Sequence, residues 1–279
     1  MRATYRTAHH EKEPYKKPLI KKPLIKKVLM SFIGLILPGL LLGVWLLADR
    51  VNWIDPSRFP TLQGVWKMLQ QMLDDGSLGE HVSASFFRLI WGFALAFSVA
   101  VPLGFSVGQI GILRRLLMPT LAFFQQIPPI AWIPFFIIWM GLGEMTKISV
   151  IAYSAFVPLF LNTVQGVQSL DPFLRETAHA FKLSGWQRVW WAHVPSAAGP
   201  LFVGVRLGLS NSWRALVGAE LIVVSSGMGS LIAEGRQLFQ PAKIVIGIFM
   251  IGMAGAFLDT LLRRLEKYLV PWQKTGGQL

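Results

Sequence analysis

The sequence predicts an all-α membrane protein with six transmembrane helices. Hydrophobic residues make up 53% of its 279 residues and charged residues only 15%, whereas soluble domains carry about 25% charged residues. Uncharged runs of about 20 residues, the length needed to cross the hydrocarbon core, recur along the chain. The net charge of +13 lies largely in a tail and in short loops, which is typical of a membrane protein and argues against nucleic-acid binding.

The sequence predicts a transmembrane domain between two basic tails. Residues 1–27 carry nine Lys/Arg and form a cytoplasmic tail that we expect to contact anionic lipid. The transmembrane domain covers 28–262, and residues 263–279 form a cytoplasmic C-terminal tail. The six spans are predicted at 28–48, 89–108, 116–143, 148–168, 201–225 and 243–262.

Two segments between and within these spans have a distinctive pattern. Apolar residues at helical spacing from Pro60 to Leu73 predict an amphipathic helix on the membrane surface. In the third span, Pro128 and Pro129 predict a kink, because proline removes a backbone hydrogen bond and clashes with the preceding turn.

The distribution of basic residues predicts the orientation. Six spans place both termini on one side of the membrane, together with the 170–200 loop. That side carries 18 Lys/Arg outside the spans, against six on the other side. Because basic loops remain in the cytoplasm, both termini and this loop are predicted to be cytoplasmic.

The 170–200 loop is the longest polar segment between two spans in the C-terminal half. Asp171 is suited to cap a helix that starts at Pro172, Ser184 and Gly185 offer a break, and a second short helix is expected from Trp186. A loop with this much predicted helix is more than a linker. We therefore interpret it as the docking surface for a cytosolic protein.

The same loop resembles the Glu-Ala-Ala loop of the permeases of binding-protein-dependent ABC importers. Glu176, Ala178 and Pro195 match that motif in type and spacing, whereas Thr177 replaces an alanine and Lys182 replaces a glycine. The Ser-Gly pair that follows Lys182 is expected to supply the chain reversal that the missing glycine normally permits.

Further segments are similar to the nitrate, sulfonate and taurine branch of that family and, within it, to the aliphatic-sulfonate permeases. They are Gln-Ile-Pro-Pro-Ile-Ala-Trp-Ile-Pro at 126–134, Gly-Leu-Gly-Glu at 141–144, Phe-Leu-Asn-Thr-Val-Gln-Gly-Val at 160–167 and Gly-Val-Arg at 204–206. On these segments the chain is identified as a member of the branch.

The resemblance implies the type I ABC importer permease fold and a role in the bacterial cytoplasmic (inner) membrane. The cargo would be a small organic anion, with an aliphatic sulfonate first and nitrate, taurine or a thiamine-precursor pyrimidine as alternatives. The implied partners are a second copy of the chain, two cytosolic ATPase subunits, an extracytoplasmic substrate-binding protein and the lipid bilayer.

ATP chemistry is expected in the partner rather than in this chain. The resemblance implies that the ATPase binds ATP and magnesium and that this chain holds no cofactor. The chain is therefore not expected to be an enzyme. Independently, the sequence lacks the G-x-x-x-x-G-K-[ST] phosphate loop, so the chain is not expected to bind ATP itself. The five histidines show no spacing suited to a metal site.

The resemblance and the polar groups inside spans together give the candidate functional residues. ATPase coupling is assigned to Glu176, Thr177, Ala178, Phe181, Lys182, Leu183, Ser184, Gly185 and Pro195. The translocation pathway is assigned to Gln126, Trp132, Asn162, Asn211, Arg214 and Glu220. For the uncharged polar groups, the alternative is hydrogen bonding between helices.

The fifth span is unusual because it contains three charges, Arg206, Arg214 and Glu220. A charge near the bilayer centre is costly unless it is paired or faces water, and Arg206 lies close enough to the cytoplasmic end to reach water. Arg214 and Glu220 are poor partners, since six residues turn a helix by about 240°. Arg214 therefore either faces the pathway and attracts an anion, or pairs with a neighbouring helix.

Two other classes of protein are alternatives to an ABC importer permease. An ion-driven secondary transporter would use interrupted helices such as the proline-rich third span, but the two related halves common in such folds are not evident. A membrane enzyme would need a catalytic constellation, and the sequence shows neither a nucleophile motif nor paired carboxylates.

Overall fold

The computed structural model describes residues 24–51, 53, 55, 59–170, 173, 176–177, 180–181 and 184–269. Every regular element in these ranges is helical, as the sequence predicts. The helices are α1 (Leu24–Arg50), α2 (Leu62–Asp74), α3 (Ser77–Gln109), α4 (Gly111–Gln125), α5 (Ile133–Met140), α6 (Glu144–Gln168), α7 (Gly185–Arg188), α8 (Val194–Ile222), α9 (Met228–Gln237) and α10 (Pro241–Leu269), with a 3₁₀ turn at Pro129–Trp132 and a π-helical turn at Val189–His193.

The chain divides into two units. The first, Met1–Trp53, contains α1, and the second, Ile54–Leu279, contains the other helices. Within the described residues, three helices are long and apolar enough to cross a membrane, at Ser77–Gln109, Glu144–Gln168 and Pro241–Glu266. The bent pair formed by α4 and the stretch Pro129–Met140 passes the same test when its two parts are taken together, either as a broken span or as a re-entrant loop.

The core of the second unit forms where α6 packs between α3 and α8. The α3–α6 contact is built from small and branched side chains such as Ala96, Ala100 and Ala155, all of them buried. The two backbones come so close that a Cβ on Gly104 would lie 2.8 Å from Thr163 Cβ. Small residues of this kind allow membrane helices to pack backbone against backbone.

Two helices begin earlier than the uncharged runs predicted. The second span was expected to start at residue 89, but α3 starts at Ser77, whose backbone N–H donates to Asp75 Oδ1 at 2.9 Å. Hydrogen bonding from the side chain of Ser77, and second from this backbone N–H, lowers the pKa of the Asp75 carboxyl. The fifth span was expected to start at residue 201, whereas α8 starts at Val194. Polar residues do not end these helices, because hydrogen bonds within a helix continue regardless of side-chain polarity.

The amphipathic helix expected at 60–73 is present as α2. Thr61 caps it by accepting a hydrogen bond from the Gly64 N–H at 3.0 Å. Part of its apolar stripe packs against other helices of the second unit, whereas Trp66 and Leu73 of the same stripe are exposed. The packed cluster consists of Val65, Met68, Leu69, Met72, Leu78, Leu231, Ile246 and Met250.

Candidate functional site

A cavity of about 560 Å³ lies between α6, α8 and the break that follows α4. Its wall is mostly apolar, with Pro128, Ile130, Val157 and Leu161 as examples. Six polar side chains also line it, and they are Gln125, Tyr153, Ser154, Asn162, Asn211 and Arg214. The cavity thus combines an apolar wall with a few hydrogen-bonding groups, which is the usual composition of a small-molecule site.

The break that bounds the cavity comes from two consecutive prolines. Pro128 and Pro129 have no N–H to continue the α4 hydrogen-bond pattern, and the two halves of the bent segment meet at 91°. The predicted kink is confirmed. Gln125, the last residue of α4, lines the cavity, whereas the predicted Gln126 does not.

Arg214 gives the cavity its charge. It is the one cation among the residues that line the cavity, none of which is a carboxylate. Its Nη1 donates to Asn211 Oδ1 at 3.2 Å, on the exposed side of α8. Arg214 belongs to none of the ion pairs between described residues. Most of its hydrogen-bonding capacity, five N–H groups in all, therefore remains available to a ligand in the cavity.

The structure brings three of the six predicted pathway residues together on this wall, namely Asn162, Asn211 and Arg214. The amide nitrogen of Asn162 donates to Pro158 O at 2.8 Å, which orients its side chain. Trp132 lies behind the wall, where its ring centroid is 5.5 Å from that of Tyr153. Trp132 therefore supports the cavity without lining it.

Glu220 lies elsewhere, in an ion cluster near the end of α8 that is buried except for Glu144, whose side chain is half exposed. The cluster consists of Arg88 on α3, Glu144 and Lys147 on α6, and Glu220, and we call it the Arg88 cluster. Arg88 donates from Nε and Nη2 to Glu144 and from Nη1 to Glu220, at 2.5 to 2.7 Å. It also donates to the carbonyl and hydroxyl oxygens of Ser226, at 2.7 and 2.6 Å. All five N–H groups of Arg88 have partners.

The carboxylate of Glu220 is held just as closely. It is fully buried and accepts hydrogen bonds from the Ser85 hydroxyl and the Gly229 N–H, at 2.7 and 2.9 Å. A Cβ on Gly227 would lie 2.1 Å from Glu220 Oε1, and the φ of Gly227 is 116°. Only glycine fits both the conformation and the space.

Lys147 completes the cluster. It is fully buried, and its Nζ donates to Ser225 Oγ at 2.6 Å and lies 3.8 Å from Glu144 Oε1. With two cations and two carboxylates the cluster is formally neutral. It joins α3, α6, α8 and the loop after α8, so its role is to hold these elements together.

Sequence reasoning did not single out Arg88 or Lys147. Arg88 and Lys147 each stand at the edge of an uncharged run, which predicts a position just outside a span for Arg88 and in a loop for Lys147. The sequence contains one indication that such a cation exists. Glu220 lies inside a span and requires a cation on another helix, since Arg214 lies on a different face of its own helix.

The segment predicted to dock a cytosolic partner is described in part. Glu176 and Phe181 are exposed, and Thr177 Oγ1 donates to Phe173 O at 2.7 Å. Ala178, Lys182 and Leu183 lie outside the described residues. The Phe181 N–H donates to Thr177 O at 3.0 Å, a helical hydrogen bond.

A second helical stretch begins after Ser184. The Ser184 N–H donates to Gln187 Oε1 at 2.9 Å, and the Gln187 N–H approaches Ser184 Oγ at 3.4 Å. This reciprocal pair is a capping box, which explains the predicted break before Gly185. From Gly185 the helical path continues to Ile222 through the π-helical turn at Val189–His193 and through Pro195 and Pro200 of α8, neither of which has an N–H to donate within the helix.

Comparison with known proteins adds independent information. Residues 100–275 match the family described as "Binding-protein-dependent transport system inner membrane component". The chain is 30% identical to an aliphatic sulfonates transport permease protein of Bacillus subtilis, over 84% of this chain and 85% of that protein. It is 30% identical to the taurine transport system permease protein of Escherichia coli, over 83% and 86%. It is 31% identical to the nitrate import permease protein of Synechocystis, over 71% and 72%.

Proposed function

Because the chain belongs to the family of binding-protein-dependent transport system inner membrane components, we propose that it forms the translocation pathway of an ATP-driven importer for a small organic anion. An aliphatic sulfonate is the first candidate for the cargo. As a transport permease component the chain is not itself an enzyme, and ATP and magnesium are bound by a separate ATPase subunit.

The observation that carries the anion proposal is the uncompensated charge of Arg214 on the cavity wall. A guanidinium without a carboxylate partner offers several N–H donors to a sulfonate. The apolar wall suits an alkyl chain. Taurine would bring an ammonium group to a wall without a carboxylate, and nitrate has no apolar part to occupy the rest of the cavity. The composition of the cavity wall therefore supports an alkanesulfonate over taurine or nitrate.

We further propose a membrane topology with six spans and both termini in the cytoplasm. The spans are α1, α3, the bent α4–α5 pair, α6, α8 and α10. Its support is the Lys/Arg asymmetry of the sequence. Lys147, one of the six basic residues counted on the other side, is buried rather than exposed in a loop, which increases the asymmetry slightly. On this topology the Arg88 cluster lies toward the extracytoplasmic face, where a substrate-binding protein delivers cargo.

The docking segment faces the cytoplasm on this topology, and we propose that each copy in a homodimer contacts one ATPase there. The exposure of its aromatic residues supports this role, since Phe181 is 75% exposed and Trp191 is 77% exposed. Large apolar side chains displayed on a polar segment commonly mark a protein interface.

The test is ATP hydrolysis by proteoliposomes that contain this chain and its ATPase. Binding proteins loaded with an alkanesulfonate, taurine or nitrate are added in turn. We expect the alkanesulfonate-loaded protein to stimulate hydrolysis and drive uptake. Stimulation by another loaded protein alone would replace the cargo, and uptake that persists without ATP would indicate an ion-driven transporter instead.

The same assay tests the role of Arg214. Arg214→Gln keeps a polar side chain but removes the charge, and we expect uptake to fall about tenfold, the value of one charge-assisted hydrogen bond. Arg264→Gln, which removes an exposed charge from the end of α10, is the matched control and should transport normally. Equal uptake by both variants would contradict an anion site at Arg214.

Docking is tested separately by co-purification of the ATPase. Glu176→Ala and Lys182→Glu should each weaken recovery of the complex, because both change the charge of the docking segment. Asp74→Ala removes an exposed carboxylate at the end of α2 and should leave recovery unchanged. Undiminished recovery with both docking variants would contradict the assignment of this segment.

A further inference from the structure

The turn that joins α9 to α10 leaves four consecutive side chains exposed, and we call residues 236–239 the α9–α10 tip. They are Arg236, Gln237, Leu238 and Phe239. Leu238 is 60% exposed and Phe239 is 88% exposed. Two large apolar side chains are therefore uncovered side by side, next to an arginine.

Phe239 has a backbone conformation that an aromatic residue rarely adopts. Its φ is 53°, in the left-handed region, where a side chain with a Cβ is strained. Two hydrogen bonds impose this conformation, from the Gln240 N–H to Gly235 O at 2.7 Å and from the Phe239 N–H to Arg236 O at 3.4 Å. Together they form the Schellman motif, in which this position is usually glycine.

No packing within the described part of the chain offsets the strain at Phe239. A Schellman motif is often accompanied by an apolar contact between the residue after the left-handed one and the last turn of the helix. Here those two positions are Gln240 and Gly235, and the ring of Phe239 remains exposed. A bulky residue that is strained and uncovered indicates a role in an interaction with another molecule.

The α9–α10 tip and the docking segment lie at opposite ends of the bundle. Helices α8 and α10 are antiparallel, because Arg206 pairs with Glu266, whereas Trp213, further along α8, lies beside Gly255, earlier in α10. The docking segment precedes α8 and the tip precedes α10. On the proposed topology, with the docking segment in the cytoplasm, the tip is therefore extracytoplasmic.

An ion pair separates the tip from the apolar part of α10. Lys243 Nζ donates to Glu234 Oε2 at 2.6 Å. The uncharged run of α10 starts at Ile244, on one side of this pair, and Phe239 lies on the other side. Charged side chains mark the aqueous edge of a membrane helix, so a protein is the expected cover for the tip rather than acyl chains.

We propose that the α9–α10 tip is a docking point for the extracytoplasmic substrate-binding protein. Phe239 enters an apolar pocket on that protein, Leu238 packs at the edge of the pocket, and Arg236 pairs with a carboxylate beside it. Arg236 belongs to none of the ion pairs between described residues, and aromatic residues and arginine are the side chains that contribute most at interfaces.

This inference rests on the proposed function, because it requires the importer topology. The description of the family, a binding-protein-dependent transport system, makes a binding protein the partner expected on the extracytoplasmic face. The tip adds to that expectation a named contact and the chemistry of the surface that receives it.

The first experiment tests where the tip lies and what covers it. The chain contains no cysteine, so Gln237→Cys gives it a single site for a membrane-impermeant maleimide and keeps Phe239. In right-side-out vesicles that contain the permease and its ATPase, we expect labelling from outside. The binding protein that stimulates the wild-type ATPase should slow this labelling about tenfold. Gln168→Cys, an exposed residue at the cytoplasmic end of α6, is the matched control and should be labelled only in inverted vesicles.

The second experiment separates docking from stability. Phe239→Gly removes the ring and relieves the strained backbone, so the unfolding temperature should stay the same or rise. The affinity of the complex for the binding protein should nevertheless fall by about tenfold or more. Phe239→Trp keeps a large aromatic side chain and should retain most of the affinity. Phe257→Ala, which removes an exposed ring from the middle of α10, should leave the affinity unchanged.

Other occupants of the tip predict different results. If the ring only touched lipid, Phe239→Gly would leave the affinity for the binding protein unchanged. If a second copy of the chain covered it, the same variant would shift the protein from dimer to monomer, again with unchanged affinity. Either result would overturn the proposal.

Failure of this inference can be told apart from failure of the proposed function. Labelling of Gln237→Cys from outside without protection by the binding protein would overturn docking at the tip and leave the topology intact. Labelling only in inverted vesicles, or a wild-type complex that no loaded binding protein stimulates, would overturn the proposed function and this inference with it.

Discussion

Arg88 and Arg214 lie on two helices of the same bundle, and their guanidinium groups have opposite surroundings. Arg88 is 2% exposed and bonded to two carboxylates and to Ser226. Arg214 is exposed on a cavity wall, with one bond to the amide of Asn211. The residue type and its charge are the same, so the neighbours alone determine what each group does.

This difference separates a structural charge from a charge that can bind a ligand. A buried arginine whose N–H groups are all occupied has nothing left to offer a passing anion, and removing it leaves the buried carboxylate of Glu220 without its cation. An arginine with free N–H groups beside a cavity contributes little to stability and much to recognition. The three predictions that follow test this separation, in order of decreasing effect.

The largest effect is expected from the same substitution at both arginines. Arg88→Met leaves Glu144 and Glu220 without their main partner and should cost about 3–5 kcal/mol of unfolding free energy. Arg214→Met breaks one exposed hydrogen bond and should cost less than about 1 kcal/mol. Thermal unfolding in detergent measures both. Equal losses would remove the distinction between the two groups.

A smaller effect is expected from an added methyl group beside the Arg88 cluster, compared with the same change at an open position. Gly227→Ala places a Cβ against Glu220 and strains a backbone with φ of 116°, which should cost about 2–3 kcal/mol. Gly111→Ala, at the start of α4 where nothing lies within 4 Å of the new Cβ, should change stability by less than about 0.5 kcal/mol. If Gly227→Ala proved equally neutral, the tight fit around Glu220 would be wrong.

The smallest effect is expected from the neutral partners of the two arginines. Ser226→Ala removes the hydroxyl that accepts from Arg88 Nη2 at 2.6 Å and should cost about 1–2 kcal/mol, the value of a buried hydrogen bond to a charged group. Asn211→Ala should cost less than about 0.5 kcal/mol, because Arg214 can bond water instead. A larger loss for Asn211→Ala would show that Arg214 is held by the protein after all.

The helical class and the break at Pro128–Pro129 could be predicted because composition and proline act locally. Helix ends could not be predicted from uncharged runs, since α3 continues through Glu80 and Arg88. A buried charge interrupts the apolar run in the sequence without interrupting the helix. The partner that makes this tolerable, Glu220, is 132 residues away along the chain.

The environments of the candidate site residues could also be predicted in part from the sequence. The rotation between Arg214 and Glu220 correctly indicated that they are not partners, and the structure places them in different environments. Sequence alone could not show that Glu220 is buried rather than on the cavity wall, because both positions are compatible with one helix. Packing against α3 and α6 decides that question.

The part of α8 that follows Pro200 has a mechanical consequence. Glu220 is pinned near one end, so a tilt of this part would pivot there. Residue 201 lies about 28 Å from that pivot and Arg214 only about 9 Å, at ~1.5 Å per residue. This part of the helix then acts as a reducing lever, in which a displacement of its far end by about 3 Å moves Arg214 by about 1 Å. A movement at the far end would thus become a finer adjustment at the charge beside the cavity.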